Sequence, residues 1–354
     1  MEKKFRKIGV LTSGGDAPGM NAAVRSVARA ALARGVEVVG IKGGYSGLIN
    51  DNMIELAPRA VTGIIYQGGT FLYSDRCDEF KTEEGMQKAI ATCKKHGIDG
   101  IVAIGGDGTF RGATDLSVRG IPTIGIPGTI DNDITATENS IGFDTAMNTV
   151  LEMVDRLRDT CESHARCNVV EVMGRGAGDI ALNTAMALGA VACVIPECPF
   201  DEAACMEKIR ALRADGKRSF LVIVSEGVEN FSEGLAKRIQ AETGVETKFA
   251  RLAHVVRGGT PTLTDRVFAT KLGVAAVDQL LAGKSNLVMC QQNNKIVAVD
   301  ILYSQCLDRK YKGTLKEGML EKFSAEEIAS MDAAIAAKKA EFAELYAIVN
   351  DLAR

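Results

Sequence analysis

The chain has 354 residues, 46% of them hydrophobic and 25% charged, with a formal net charge of −3. That length predicts about two globular domains with sizeable cores, and the near-neutral balance excludes a general electrostatic attraction to nucleic acid or to an anionic membrane. The nine cysteines lack the paired spacing of a zinc site, no apolar stretch has the length of a membrane span, and the charged Met1–Lys7 segment lacks the apolar core of a secretion signal, so a cytoplasmic protein with reduced thiols is expected.

Apolar, β-branched runs predict strands at Ile8–Thr12, Glu37–Ile41, Gly100–Ile104, Thr123–Ile126, Asn168–Val172, Phe220–Val224, Asn286–Cys290 and Lys295–Asp300. Amphipathic stretches predict helices over Asn21–Arg34, Glu84–His96 and Asp144–Thr160. Strands separated by helices imply an α/β fold in which mostly parallel sheets carry helices on both faces, and ligands of such sheets sit at the carboxyl ends of the strands.

The motifs fall at those ends. Leu11–Asn21 follows the first strand, and its Gly14 and Gly15 let the backbone approach a ligand while free N–H groups cradle phosphate. Arg76, beyond the glycine pair Gly68–Gly69, suits a reach toward a transferring phosphoryl group, although spacing alone does not set it apart from a surface arginine. Ile104–Thr109 sets Asp107 between glycines at a strand tip, where a carboxylate can hold the cation that phosphoryl transfer requires. Pro127–Asp133 places Asp131 and Asp133 two residues apart after another strand, and a positioned carboxylate can take the proton of a sugar hydroxyl. Glu171–Arg175 and His254–Gly259 add basic groups, and Arg166 and Arg257 suit bidentate phosphate binding. Beyond residue 323, Ser324 and Glu327 have capping-box spacing. They open an Ala/Glu/Lys-rich run in which Met331, Ile335, Phe342, Leu345, Ile348 and Leu352 predict one or two amphipathic helices.

Taken in this order, Gly9–Asn21, Gly68–Leu72, Gly105–Thr109, Pro127–Asp133, Ile141–Phe143, Val169–Arg175 and His254–Gly259 resemble the ATP-dependent 6-phosphofructokinases of bacterial type, over about residues 5–310. The resemblance implies two Rossmann-like three-layer α/β/α domains. The larger, 1–141 and 256–305, would bind ATP; the smaller, 142–255 and 306–323, would bind sugar phosphate; residues 324–354 would form a helical extension. It implies ATP held by Gly15, Arg76, Cys77, Gly106, Asp107, Gly108 and Thr109, with Mg²⁺ on Asp107. Fructose 6-phosphate would meet Thr129, Ile130, Asp131, Met173, Gly174, Arg175, Glu226, His254 and Arg257, and the catalytic group would comprise Asp131 as base, Asp133, Thr129, Arg76 and Arg175. Arg166 and Lys248 would reach in from a neighbouring subunit to grip the 6-phosphate, which implies a homotetramer with shared sites and no nucleic-acid or membrane partner.

The chain departs from that family pattern at several places. Lys248 stands where Arg is usual, keeping the charge and losing the planar fork, so a looser grip and a related acceptor such as sedoheptulose 7-phosphate stay open. Arg25, Arg29, Arg158 and Lys217 match the family's effector site. Pro58, Val191, Asp215 and Ser219 replace an Arg, a Glu, a Lys and a His there, so control by ADP and phosphoenolpyruvate is expected to be weakened, absent or replaced. Pyrophosphate-dependent relatives typically carry Asp at the position of Gly108 and Lys at that of Gly128; two glycines favour a nucleotide donor. The Gly105–Thr109 element also occurs in NAD kinases and diacylglycerol kinases, which lack the Thr129–Asp133 cluster. A regulatory subunit without chemistry is disfavoured by the presence of Asp131, Asp107 and Arg76.

Overall fold

The computed structural model describes residues 5–352; Met1–Lys4 of the charged N-terminal segment and positions 353–354 of the tail lie outside the described residues. In chain order the elements are β1 (Lys7–Thr12), α1 (Met20–Ala33), β2 (Glu37–Ile41), α2 (Gly44–Ile49), β3 (Met53–Glu55), α3 (Glu83–His96), β4 (Gly100–Gly105), α4 (Asp107–Ser117), β5 (Thr123–Pro127), α5 (Phe143–His164), β6 (Cys167–Val172), α6 (Asp179–Leu188), β7 (Ala192–Val194), α7 (Glu202–Ala214), β8 (Phe220–Ser225), α8 (Ser232–Thr243), β9 (Thr247–Arg251), α9 (Leu263–Leu281), β10 (Leu287–Gln292), β11 (Lys295–Asp300), α10 (Ile301–Tyr311) and α11 (Ala325–Leu352).

Two compact units divide the chain. One holds the chain up to Ile130, Ile134–Thr145 and Arg257–Lys322; the other holds Asp131–Asp133, Ala146–Val256 and the chain from Phe323 onward. The first unit is built on a seven-stranded sheet ordered β11-β10-β5-β4-β1-β2-β3. Its β2, β1, β4, β5 and β10 run parallel, and antiparallel β3 and β11 close the two edges. β4 and β5 are buried at every residue, which explains why they read as unbroken apolar runs and not as alternation. Helices α1 and α9 pack together against this sheet, and α4 and α10 form a second pair against β4, β5, β10 and β11.

The second unit has a four-stranded, all-parallel sheet ordered β7-β8-β6-β9. Cys167, Val169, Phe220, Val222 and Val224 join Met206 and Ile209 of α7 and Leu235 and Ile239 of α8 in one core. The intervening Val170, Leu221 and Ile223 are equally buried, and α6 packs on β7 and β8. This is the mostly parallel α/β architecture expected from the sequence.

Helix ends follow local chemistry. Thr82 accepts from Gly85 N (3.1 Å) at the start of α3, Lys94, Lys95 and His96 occupy its last turn, and Gly97 at φ 62° closes it. The Ser324–Glu327 capping box forms as well, with Glu327 N donating to Ser324 Oγ (3.2 Å) and Ser324 N to Glu327 Oε2 (2.8 Å). The tail behind it is a single helix of 28 residues.

The units differ from the expected division at Asp131–Asp133 and Val256, which fall in the second unit, and in three further places. Residues 306–322, expected in the smaller domain, belong to the first unit, because α10 buries Cys306 and Leu307 and packs on α4, β10 and β11. Residues 142–145 also stay with the first unit, because Asp265 of α9 accepts from Gly142 N (2.8 Å), Thr145 N (2.9 Å) and Thr145 Oγ1 (2.5 Å). The tail is no separate extension; α11 packs on α6 and β7 inside the second unit. Strands β3, β7 and β9 escaped the sequence reading. The first two have three residues each, and β9 lies at a sheet edge with a mixed burial pattern.

Candidate active site

In the first unit the glycine-rich motifs converge at the carboxyl ends of β1, β4 and β5. Ser13 N donates to Ile104 O (3.0 Å) and Thr109 Oγ1 donates to Ser13 O (3.0 Å), which ties the loop after β1 to the loop after β4. Ser74 Oγ donates to Gly14 O (2.5 Å), and Ser46 Oγ to Asp75 Oδ2 (2.8 Å), so the segment carrying exposed Arg76 and half-buried Cys77 lies along the same loop. Gly15 lies against the Arg257 guanidinium, which a Cβ there would displace. Arg257 Nη2 donates to Asp16 O (2.6 Å), so this arginine, expected with the sugar-phosphate group, stands at the β1–α1 loop beside Gly15.

Asp107 occupies the first turn of α4, and Gly106 before it offers no side-chain cap, which leaves the helix's first N–H groups for an anion. Its carboxylate accepts from Arg111 Nη2 (2.7 Å) and from Gln305 Nε2 (2.9 Å), and its side chain is 35% exposed. One reachable carboxylate at a helix N-terminus fits Mg²⁺, which usually takes one or two carboxylates together with substrate phosphates. A Cβ at Gly106 or Gly108 would meet no atom within 4 Å, whereas one at Gly128 would press on Met20 Cε at 3.1 Å and Ile104 Cγ2 at 3.2 Å. The space beside Gly108 is therefore open to a ligand, and that beside Gly128 is filled by protein. Thr129 is buried and its carbonyl accepts from Ser140 Oγ (2.6 Å); the Ile130 side chain is wholly buried, so only its backbone can face a substrate.

In the second unit Asp131 is 6% exposed and Asp133 half-buried, on either side of Asn132. Asn132 adopts φ 52°, in the left-handed region that asparagine tolerates better than most residues. Arg175 Nε lies 4.0 Å from Asp131 Oδ2. Arg175 itself is at φ 56°, held because Glu226 Oε1 accepts from both Gly174 N (3.2 Å) and Arg175 N (2.8 Å). Gly174, at φ 143°, permits that turn, where a Cβ would come within 2.6 Å of Ala177 O. Glu226, expected on the sugar, thus shapes the Met173–Arg175 loop at the carboxyl end of β6. His254 is exposed in the short turn Ala253–Arg257.

Arg166 and Lys248 are not brought to that loop. Arg166 immediately precedes β6, and Lys248 pairs with Asn168 near the same end of the sheet, so the length of β6, roughly 20 Å, separates them from Arg175. They share a partner the sequence did not disclose: Glu246 lies 2.8 Å from Arg166 Nε and 2.9 Å from Lys248 Nζ. Hydrogen bonds from these two cations hold the Glu246 carboxyl down at about 2. Glu246 sits two positions before Lys248 and one before β9, a spacing that puts both side chains on one side of an extended chain.

The cations of the expected effector site form two groups. Arg25 and Arg29 share α1, where burial and then Arg29 push the Arg25 guanidinium down; burial and then Arg158 push Lys217 down in the second unit. Val191 is 1% exposed and forms core.

The phosphofructokinase family model matches residues 7–280. An ATP-dependent 6-phosphofructokinase of Bacillus pumilus is 51% identical over 307 residues, 87% of this chain and 95% of the relative. That of Clostridium novyi is 49% identical over 311 residues, 88% of this chain and 97% of the relative. The solved structure of phosphofructokinase from Saccharomyces cerevisiae superposes with a TM-score of 0.84 at 32% identity, covering 96% of this chain and 49% of that one, so this chain spans about half the length of the yeast chain. The glycine loops, the Asp131 loop and the Glu226-braced turn all lie inside the matched segment, and with half of the aligned residues shared over nearly the whole of its bacterial relatives this chain belongs to the phosphofructokinase family.

Proposed function

We propose that the chain is an enzyme that transfers the γ-phosphoryl group of ATP to the 1-hydroxyl of fructose 6-phosphate, giving fructose 1,6-bisphosphate and ADP in glycolysis. The observation that carries this reading is a buried acid, Asp131, with the Arg175 guanidinium 4.0 Å away, on a loop that continues directly from the nucleotide-type unit. Asp131 takes the proton of the 1-hydroxyl as its oxygen forms a bond to the γ-phosphorus and the bond from that phosphorus to the ADP oxygen breaks. Asp133 and Thr129 set the loop, and Arg175 and Arg76 supply positive charge where it builds on the phosphoryl oxygens. Gly15, Cys77 and Gly106–Thr109 receive the nucleotide; Met173, Gly174, Ile130, Glu226, His254 and Arg257 surround the sugar phosphate. Asp107 would hold Mg²⁺, whose chemistry when bound is to neutralise phosphate charge.

The open space at Gly108 supports ATP over pyrophosphate. A matrix of both donors against fructose 6-phosphate, sedoheptulose 7-phosphate and unphosphorylated fructose should show turnover for ATP with fructose 6-phosphate. Turnover with pyrophosphate and none with ATP would reverse the assignment.

Arg166 and Lys248, at the far end of β6 from Arg175, serve the site of another subunit in a cytoplasmic homotetramer. Sedimentation of the purified enzyme should give a species of four chains; an active monomer would remove this part of the reading. Among the described residues no helix is long and apolar enough to cross a membrane.

A further inference from the structure

Helix α11 buries Met331, Ile335, Phe342 and Val349 along one stripe. The stripe's middle position, between Ile335 and Phe342, is Lys338. Its side chain is 16% exposed, with its ammonium 5.7 Å from the Phe342 ring centroid. A lysine in such a place is costly unless paired. Its partner is Asp179 in the first turn of α6, itself 7% exposed: Lys338 Nζ lies 3.7 Å from Asp179 Oδ1. The same oxygen accepts from Asn132 Nδ2 (3.3 Å). Asn132 is the left-handed residue between Asp131 and Asp133, so this bond holds a backbone conformation on which the direction of both carboxylates depends. Burial pushes the Asp179 carboxyl up and Lys338 pulls it back; burial likewise pushes up Glu197. The Glu197 carboxylate accepts from Gly178 N (2.8 Å) at the head of the same helix. Lys338 is the cation set against both acids.

We infer that Lys338 is a positioning residue for phosphoryl transfer: from the C-terminal helix, through Asp179 and Asn132, it fixes the loop that presents Asp131. The inference rests on the reading of Asp131 as the base. It gives α11 a part in the reaction, although the relatives align over 97% of their own length and leave 12% of this chain unmatched.

The test uses the full-length enzyme with Lys338→Met and Lys338→Arg. Methionine suits the apolar stripe, so α11 stays docked while Asp179 loses its cation. Lys338→Met should lower kcat about tenfold with both KM values within about threefold, below the hundredfold that a 1 Å misplacement can bring. Hydrogen exchange of the 131–133 amides should rise about fivefold or more while α11 keeps its protection. Lys338→Arg should restore both. Unchanged exchange at 131–133 overturns the inference, as does faster exchange there with wild-type kcat, or loss of protection along α11 in step with the loop, which would make Lys338 a docking residue only. If Lys338→Met does not fold, Asp179→Asn removes the other charge of the pair and carries the same readouts. Asp131→Asn serves as the control: if it turns over like wild type, the base assignment falls, and the exchange measurement still decides whether Lys338 holds the loop.

Discussion

Asp131→Asn should lower kcat for fructose 6-phosphate by roughly 10³-fold, with KM for sugar and nucleotide changed less than about threefold. The amide has the size of the carboxylate and keeps an oxygen toward Arg175, so the loop and the sugar's contacts survive. What is lost is the ability to accept the hydroxyl proton, a deficit confined to the transition state. Steady-state kinetics at saturating ATP checks this, and a variant within tenfold of wild type would show that proton removal lies elsewhere, with Asp133 the next acid to test.

The second large effect concerns stability. Asp265 is 2% exposed and accepts three hydrogen bonds at the start of α5, two of them from backbone N–H groups. Thr262, which caps α9 by accepting from Asp265 N (3.3 Å), also donates from its own N to Thr145 Oγ1 (3.1 Å). Asp265→Ala strands these donors in the interior and should destabilise the protein by about 3–5 kcal/mol. Urea unfolding would read this as an earlier midpoint in the transition of the first unit; an unchanged midpoint would show that water or a neighbour replaces the carboxylate.

Much of the two sheets was legible where strands are buried on both faces: β2 has its expected bounds, and β1, β4, β5, β6 and β8 differ by one residue at an end; the edge strand β11 also has its expected bounds. The edge segments β3 and β9 carry too few buried positions to stand out from loop, and β7, though wholly buried, has only three residues. The candidate residues could be grouped from the sequence wherever they lie within one motif, as in Gly105–Thr109 and Thr129–Asp133. The sequence was opaque wherever meaning depends on distant pairing. Asp265 with Thr145, Glu246 between Arg166 and Lys248, and Lys338 with Asp179 are ordinary charged residues until the fold joins them. The tail's apolar spacing predicted a helix, but nothing local distinguished Lys338 from exposed Lys339. Glu226 illustrates the same limit: expected on the sugar, it has two backbone bonds that make it a brace for the Arg175 turn.

The contrast between Gly108 and Gly128 gives a direction to divergence from this sequence. A Cβ can be added at 108 without meeting any atom within 4 Å, whereas at 128 the thioether methyl of Met20 and a methyl of Ile104 must give way by a few tenths of an ångström. A lineage drifting toward a smaller donor would cross the 108 step early and freely. The 128 step would need Met20 in α1 and Ile104 in β4 to shift, so intermediates carrying the 108 change alone should be the commoner kind.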